Sequence, residues 1–248
     1  LFISCNDHDT LLLFSDRGVA YALPAYRVPM SSRTAKGTPS VQLLPIPREE
    51  KITSLVAVDS FVEDCYLLML TKAGFIKRTS LSAFSKIRSN GLIAINLEDG
   101  DALTWVRLSK EGDSVLIGSK TGMAIHFRLD VNELRPLGRT ARGVKSMNLR
   151  KGDNLVSMDV LTSNLVDQLS KIDEITEEIE DNVEENSSNG PWVLIASAFG
   201  LGKRVPVTQF RLQKRAGMGL RAIKFRIKDD ELVCLKVLGE GEELLLVS

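Results

Sequence analysis

An all-β fold of repeated four-stranded blades is what the sequence predicts, on three observations. A unit of roughly fifty residues recurs four times along the 248-residue chain. Each unit holds four short apolar strand candidates, and each opens with a hairpin whose turn carries glycine. Four short strands per unit, repeated in series, is the pattern of propeller-like blades, which bury their faces against their neighbours.

The elements follow in order. First strands are expected at TLLLF (10–14), YLLML (66–70), VLIGS (115–119) and WVLIA (192–196). Turns follow at DRG (16–18), KAG (72–74), KTG (120–122) and FGLG (199–202), where glycine supplies the positive φ of a tight hairpin. Second strands are VAYAL (19–23), FIKRT (75–79), MAIHF (123–127) and KRVPV (203–207). A connection with an apolar anchor comes next, at Tyr26, Phe84, Leu134 and Phe210. Third strands are SVQLL (40–44), LIAIN (92–96), VKSMN (144–148) and LRAIKF (220–225); fourth strands are ITSLVAV (52–58), ALTWVRL (102–108), LVSMDV (155–160) and LVCLKVL (232–238). The expected blades are 7–58, 62–109, 111–161 and 191–239 of a single domain, with partial blades at 1–5 and 240–248. The start inside a strand candidate suggests a piece of a longer chain.

One segment breaks the rhythm. Between 162 and 190, Leu165, Leu169, Ile172, Ile175, Ile179 and Val183 recur at helical spacing. The segment carries nine acids and one base, Lys171. The formal charge of the whole chain is zero, so the other 219 residues carry an excess of eight cations. A basic body with an acidic, partly helical or disordered insert is expected to meet polyanions. The insert reads either as a tolerated surface loop or as an acidic regulator competing for the basic surface.

Composition excludes other classes. No apolar run reaches the ~20 residues of a membrane-spanning helix, and LFISCNDHD has no signal-peptide layout. Cys5, Cys65 and Cys234 are isolated and odd in number, which predicts reduced, buried thiols. FGLGKR (199–204) lacks the spacing and hydroxyl of a phosphate loop, and Lys120-Thr121-Gly122 is one of four equivalent turns. Acidic stretches such as EDGDAL and RKGDNL recur just before a strand, which is turn chemistry. His8 and His126 lack companions at ligand spacing. No catalytic or metal centre is expected.

Basic residues instead recur at matched positions. Arg33 and Lys36, Arg88, Arg139 and Arg142, and Lys214 and Arg215 precede the third strands. Lys77 with Arg78, and Lys203 with Arg204, add charge on the second strands. On a disc of blades these cations would form a curved stripe, suited to a bent phosphate backbone and blind to base sequence.

At these residues the chain resembles the C-terminal domain of the DNA gyrase A protein. The resemblance runs through SDRGVAYALPAYRVPMSSRTAKGTPSVQLLPIPREEKITSLVAV (15–58), KAGFIKRTSLSAF (72–84), RTARGVKSMNLRKGDNLVSM (139–158) and GPWVLIASAFGLGKRVPVTQF (190–210). It implies a six-bladed β-pinwheel that wraps duplex DNA and belongs to a type IIA topoisomerase supporting ATP-dependent supercoiling. Partners would be duplex DNA, the remainder of the gyrase A protein and the gyrase B protein. ATP and Mg would bind elsewhere in the enzyme, with no cofactor in this chain. The family's arginine- and glycine-rich box of the first blade is absent, and RSNG (88–91) is one residue shorter than its counterparts. The GPW motif and the insert resemble plant and cyanobacterial versions, implying a chloroplast or mitochondrion, or alternatively a bacterial cytoplasm. The rivals are a propeller that scaffolds protein partners and a topoisomerase IV-type domain.

Overall fold

A computed structural model of the chain describes residues 3–165 and 191–239. It is all-β, and its antiparallel strands gather into two compact units. One comprises Leu1–Lys110 with Leu134–Lys145, the other Glu111–Glu133 with Ser146–Ser248. Most of the insert and the partial blade at 240–248 lie outside the described residues, and Ile3–Cys5 forms no strand.

In the first unit, β1 (Thr10–Ser15) and β2 (Val19–Pro24) form a hairpin, and β3 (Ile52–Val58) pairs along the other side of β1. The second hairpin is β4 (Cys65–Thr71) with β5 (Phe75–Ser80). Between them and the next long strand lies β6 (Leu92–Ile93), only two residues long. β7 (Leu103–Lys110) then pairs with β4. The second unit repeats the plan with β8 (Ser114–Ser119), β9 (Met123–Arg128), β10 (Val144–Lys145, which belongs to the first unit) and β11 (Leu155–Leu161). Its last sheet has β12 (Trp192–Ser197), β13 (Gly202–Pro206) and β15 (Leu232–Leu238), while β14 (Leu220–Arg221), between β13 and β15 in sequence, pairs with β9.

The short strands correct the sequence reading. The third strand of a repeat does not join its own sheet; it completes the preceding one. The sheet orders are β3-β1-β2-β6, β10-β5-β4-β7 and β11-β8-β9-β14, with a three-stranded β13-β12-β15. Registers match: Leu92 lies opposite Ala20, Val144 opposite Ile76 and Leu220 opposite Ala124. The glycine before each short strand explains the junction. At Gly143 (φ +100°) a Cβ would lie 2.6 Å from the Ile76 carbonyl oxygen, and at Gly219 (φ +74°) 2.5 Å from that of Ala124. Only glycine lets the backbones approach so closely. The expected strand at 40–44 is instead one helical turn, Ser40–Leu43, entered directly after Pro39. The partner it needs, the second strand of a preceding repeat, is not among the described residues.

Two recurrent devices fasten the sheets. Asp101 accepts from the Ala73 amide (2.9 Å), Asp153 from Thr121 (3.0 Å) and Asp230 from Phe199 (3.1 Å), so the acidic turns brace the hairpin turns. Ser54 donates to the Val106 carbonyl and accepts from the Val106 amide, both at 3.1 Å. Ser157 makes the same reciprocal pair with Leu235, at 2.8 and 3.1 Å. These buried hydroxyls join outer strands of successive sheets within each unit, where unmet polar groups would be costly.

The first unit packs Leu12, Phe14, Leu67, Met69, Phe84 and Val106 into one core, with Phe14 and Phe84 edge-to-face at 6.3 Å. The second packs Leu116, Val193, Ile195, Phe210 and Leu235. The anchors Phe84, Leu134 and Phe210 are buried as expected, whereas Tyr26 is 62% exposed. The three cysteines are free, but Cys5 is exposed and Cys65 and Cys234 only half-buried, so the expectation of buried thiols fails.

Candidate nucleic-acid interface

The recurring cations divide into two groups with different surroundings. Arg33, Lys36, Arg88, Arg142 and Lys214 are exposed in the loops before the third-strand positions. Arg139 and Arg215 share these loops but are half-buried. Arg215 donates from Nε to the Glu133 carbonyl (2.9 Å), and its amide donates to the Glu133 carboxylate (3.0 Å). Arg142 pairs with Glu98, and its guanidinium lies 4.3 Å from the Phe75 ring centroid. Both groups of that ion pair are solvent-exposed, so it contributes little to stability and leaves the guanidinium reachable.

Lys77 and Arg78 require a correction. Expected as surface charge on a second strand, both are fully buried. Both faces of β5 are covered, because segment 134–145 of the next repeat docks against it. Lys77 donates from Nζ to the carbonyls of Gly138 (3.0 Å) and Arg139 (2.5 Å). Burial, and after it the neighbouring Arg139 charge, push the Lys77 ammonium down from 10.5 to about 7. Arg78 donates from Nε to the Leu134 carbonyl (2.5 Å), and its guanidinium stands 4.7 Å from the Tyr66 ring centroid. Neither side chain reaches solvent phosphate.

Lys203 and Arg204 lie on β13, for which the described residues hold no covering strand, and both are exposed. Arg204 lies 4.4 Å from the Trp192 ring centroid, which holds the guanidinium flat at low entropic cost. An open cleft beside them is lined by Lys203, Lys224, Phe225, Arg226 and Asp230.

Among the exposed cations that the sequence reading did not single out, Lys145 and Arg221 lie on the short strands. Each is the second residue of a short strand, two places after the glycine: Gly143-Val144-Lys145 and Gly219-Leu220-Arg221. Aligning the repeats on that glycine reveals them. Among the described residues, no group of three His, Cys, Asp or Glu side chains could hold a metal ion. Among them too, no helix is long and apolar enough to cross a membrane.

Fold and surface together define an all-β blade-repeat protein with cation-bearing loops. The chain belongs to the DNA gyrase C-terminal domain family, described as a beta-propeller, whose model matches residues 9–59, 66–110, 113–162 and 191–234. It is 57% identical over 253 residues to the DNA gyrase A protein of Synechocystis sp., covering 100% of this chain and 29% of that protein. To the chloroplastic/mitochondrial DNA gyrase A protein of Arabidopsis thaliana it is 41% identical over 255 residues, covering 100% of this chain and 26% of that protein. The chain thus spans less than a third of the length of these curated relatives. The solved C-terminal domain of DNA topoisomerase IV superposes with a TM-score of 0.73 at 24% identity, over 94% of this chain and 65% of that one. The DNA gyrase A C-terminal domain gives 0.54 at 19% identity, over 94% and 83%. At these identities the structural likeness is one of fold.

Proposed function

We propose that the chain binds duplex DNA without sequence preference through the cationic loops that precede the third-strand positions. The observation that carries this is the exposure of Arg33, Lys36, Arg88, Arg142 and Lys214 at matched places in successive repeats. Exposed Arg and Lys side chains meet phosphate oxygens, which are the same for every base pair, so affinity comes from counterion release and not from base reading. Membership of the gyrase C-terminal domain family supports DNA as the polyanion and wrapping as the mode. In a complete gyrase the domain would hold duplex for the part of the enzyme that cuts and passes DNA. Its further partners would be the rest of the gyrase A protein and the gyrase B protein, with ATP and Mg bound outside this chain. The higher identity to the Synechocystis protein than to the Arabidopsis one favours a bacterial cytoplasm over a chloroplast or mitochondrion.

The test is an electrophoretic shift of random-sequence duplex at two salt concentrations. Affinity should fall steeply with salt, with a log–log slope of about −0.9 per phosphate neutralised. A shallow slope, or affinity confined to one sequence, would overturn the proposal.

A further inference from the structure

Lys77 lies on β5 in the second repeat, yet both carbonyls it holds belong to the third repeat, in the loop that carries Arg139 and Arg142. The docking around it is extensive. Arg78 holds the Leu134 carbonyl, and the Leu137 amide donates to the Arg78 carbonyl at 2.8 Å. At the far end Val144 pairs with Ile76, and Gly143 sits against the Ile76 carbonyl. The middle of the loop, where the cations are, is held by the Lys77 amine. An amine on a long stem is suited to this: even uncharged it keeps two N–H donors, one for each of the two carbonyls.

We propose that Lys77 is a positioning residue for DNA binding, whose buried Nζ fixes the Gly138–Arg139 backbone and so sets where Arg142 meets phosphate. The proposal rests on the DNA-binding reading. It assigns to a fully buried side chain an effect on affinity that contact with DNA cannot explain. Arg142 leaves the loop three residues beyond Arg139, with its guanidinium laid on Phe75 of the same strand that carries Lys77. A loop released from Lys77 would lose the register between the two. Binding would then carry the cost of ordering the loop again.

The equivalent positions in other sheets set Lys77 apart. Opposite-strand pairing places Tyr21 on β2, Ile125 on β9 and Lys203 on β13 where Lys77 stands on β5, and Lys203 is exposed on a strand that no described segment covers. Tyr21 donates its hydroxyl to Glu50 at 3.0 Å, and Ile125 has no polar atom to offer. Among these four positions only Lys77 clasps loop backbone, and the loop it holds, from the following repeat, carries two arginines.

The experiment compares the 248-residue chain with Lys77→Met, which keeps the stem and removes the donors, and Lys77→Arg, which restores donors. Lys77→Gln, with two N–H groups on a stem one atom shorter, serves if the methionine variant does not fold. Folding is followed by circular dichroism, loop fastening by amide hydrogen exchange over 134–145, and DNA affinity by gel shift. Lys77→Met should stay folded, exchange faster over 134–145 but not over β4, and bind DNA about tenfold more weakly. Lys77→Arg should recover most of that loss. A folded Lys77→Met with a loosened loop and unchanged affinity would overturn the positioning role alone. Weakened binding with unchanged loop exchange would also overturn it, since Lys77 would then act as a charge. Wild-type chain that binds no DNA would overturn the DNA reading together with the proposal.

Discussion

Arg142 and Glu98 form an ion pair in the first unit, joining the arginine-bearing loop of one repeat to the turn that follows the short strand of the repeat before it. The acid sits where a phosphate oxygen would compete for the same guanidinium. Glu98→Gln removes that competitor and one repulsive charge. An exposed pair is worth about 0.2–1 kcal/mol, so affinity for duplex should rise by roughly two- to fivefold at low salt. Gel shifts of the variant would show it, and the gain should shrink as salt is raised.

Replacing Arg33, Arg88 and Lys214 together with glutamine should weaken DNA binding without unfolding the protein. All three are exposed, and exposed charges contribute little to stability. The salt slope should fall by about 0.9 for each phosphate no longer neutralised. An unchanged slope would put the DNA elsewhere. Lys77 and Arg78 do not belong in this set, because both are buried and neither can neutralise a phosphate by contact.

Stability should depend on pH in two windows. The folded Lys77 amine titrates at about 7, against 10.5 for its ordinary value. Between those values the unfolded chain holds a proton the folded chain has released, so stability rises as pH rises from 7 towards 10.5. Lys77→Met should flatten that rise in urea midpoints. At the acid end, His126 is buried and its imidazole is held below 6.5, chiefly by burial. Its Nδ1–H donates to the Phe210 carbonyl (2.6 Å), leaving Nε2 to accept from the Ser114 hydroxyl (2.8 Å). Protonation would reverse the second bond, making Nε2 the donor, and would leave a charge in a buried site. Stability should therefore fall as pH drops below 6.5, and less so in His126→Asn.

Gly219→Ala and Gly37→Ala test the backbone junction. Both glycines have φ of +74°, so both variants carry the left-handed penalty of about 1 kcal/mol. A Cβ at residue 37 meets nothing within 4 Å, whereas at 219 it collides with the Ala124 carbonyl. Gly219→Ala should cost about 2–4 kcal/mol. Equal midpoints in urea would show that the short strand can shift without loss.

Short apolar runs recurring about every fifty residues and glycine turns made the long strands legible, and the acidic turns fell where turn chemistry put them. The short strands were legible as segments but not in their pairing. Leu92–Ile93 or Val144–Lys145 offers two residues to a sheet edge, too few for a pattern to say which edge. Lys77 and Arg78 were misread because charge on a strand ordinarily marks a solvent face. The repeats themselves held the correction. Tyr21 with Ala22, and Ile125 with His126, fill the same two places, and Tyr21, Ile125 and His126 are buried. Lys203 and Arg204 fill these places in the last repeat and are exposed, because no described segment docks on β13; the position is interior where the next repeat covers it.

The glycine-led strand that crosses from each repeat to the sheet before it has a consequence for how such a protein can be cut or rebuilt. The stretch that recurs in the sequence and the body that holds together in space are out of phase. Excising one sequence repeat would remove a sheet and also strip the edge from its predecessor, leaving two wounds. Moving the seam does not help: between Lys145 and Ser146, for example, β8 and β9 fall before the cut while β11 and β14 of the same sheet fall after it. Transplanted modules of this fold should therefore run from the first strand of one repeat through the short strand of the next, so that the sheet leaves with its edge.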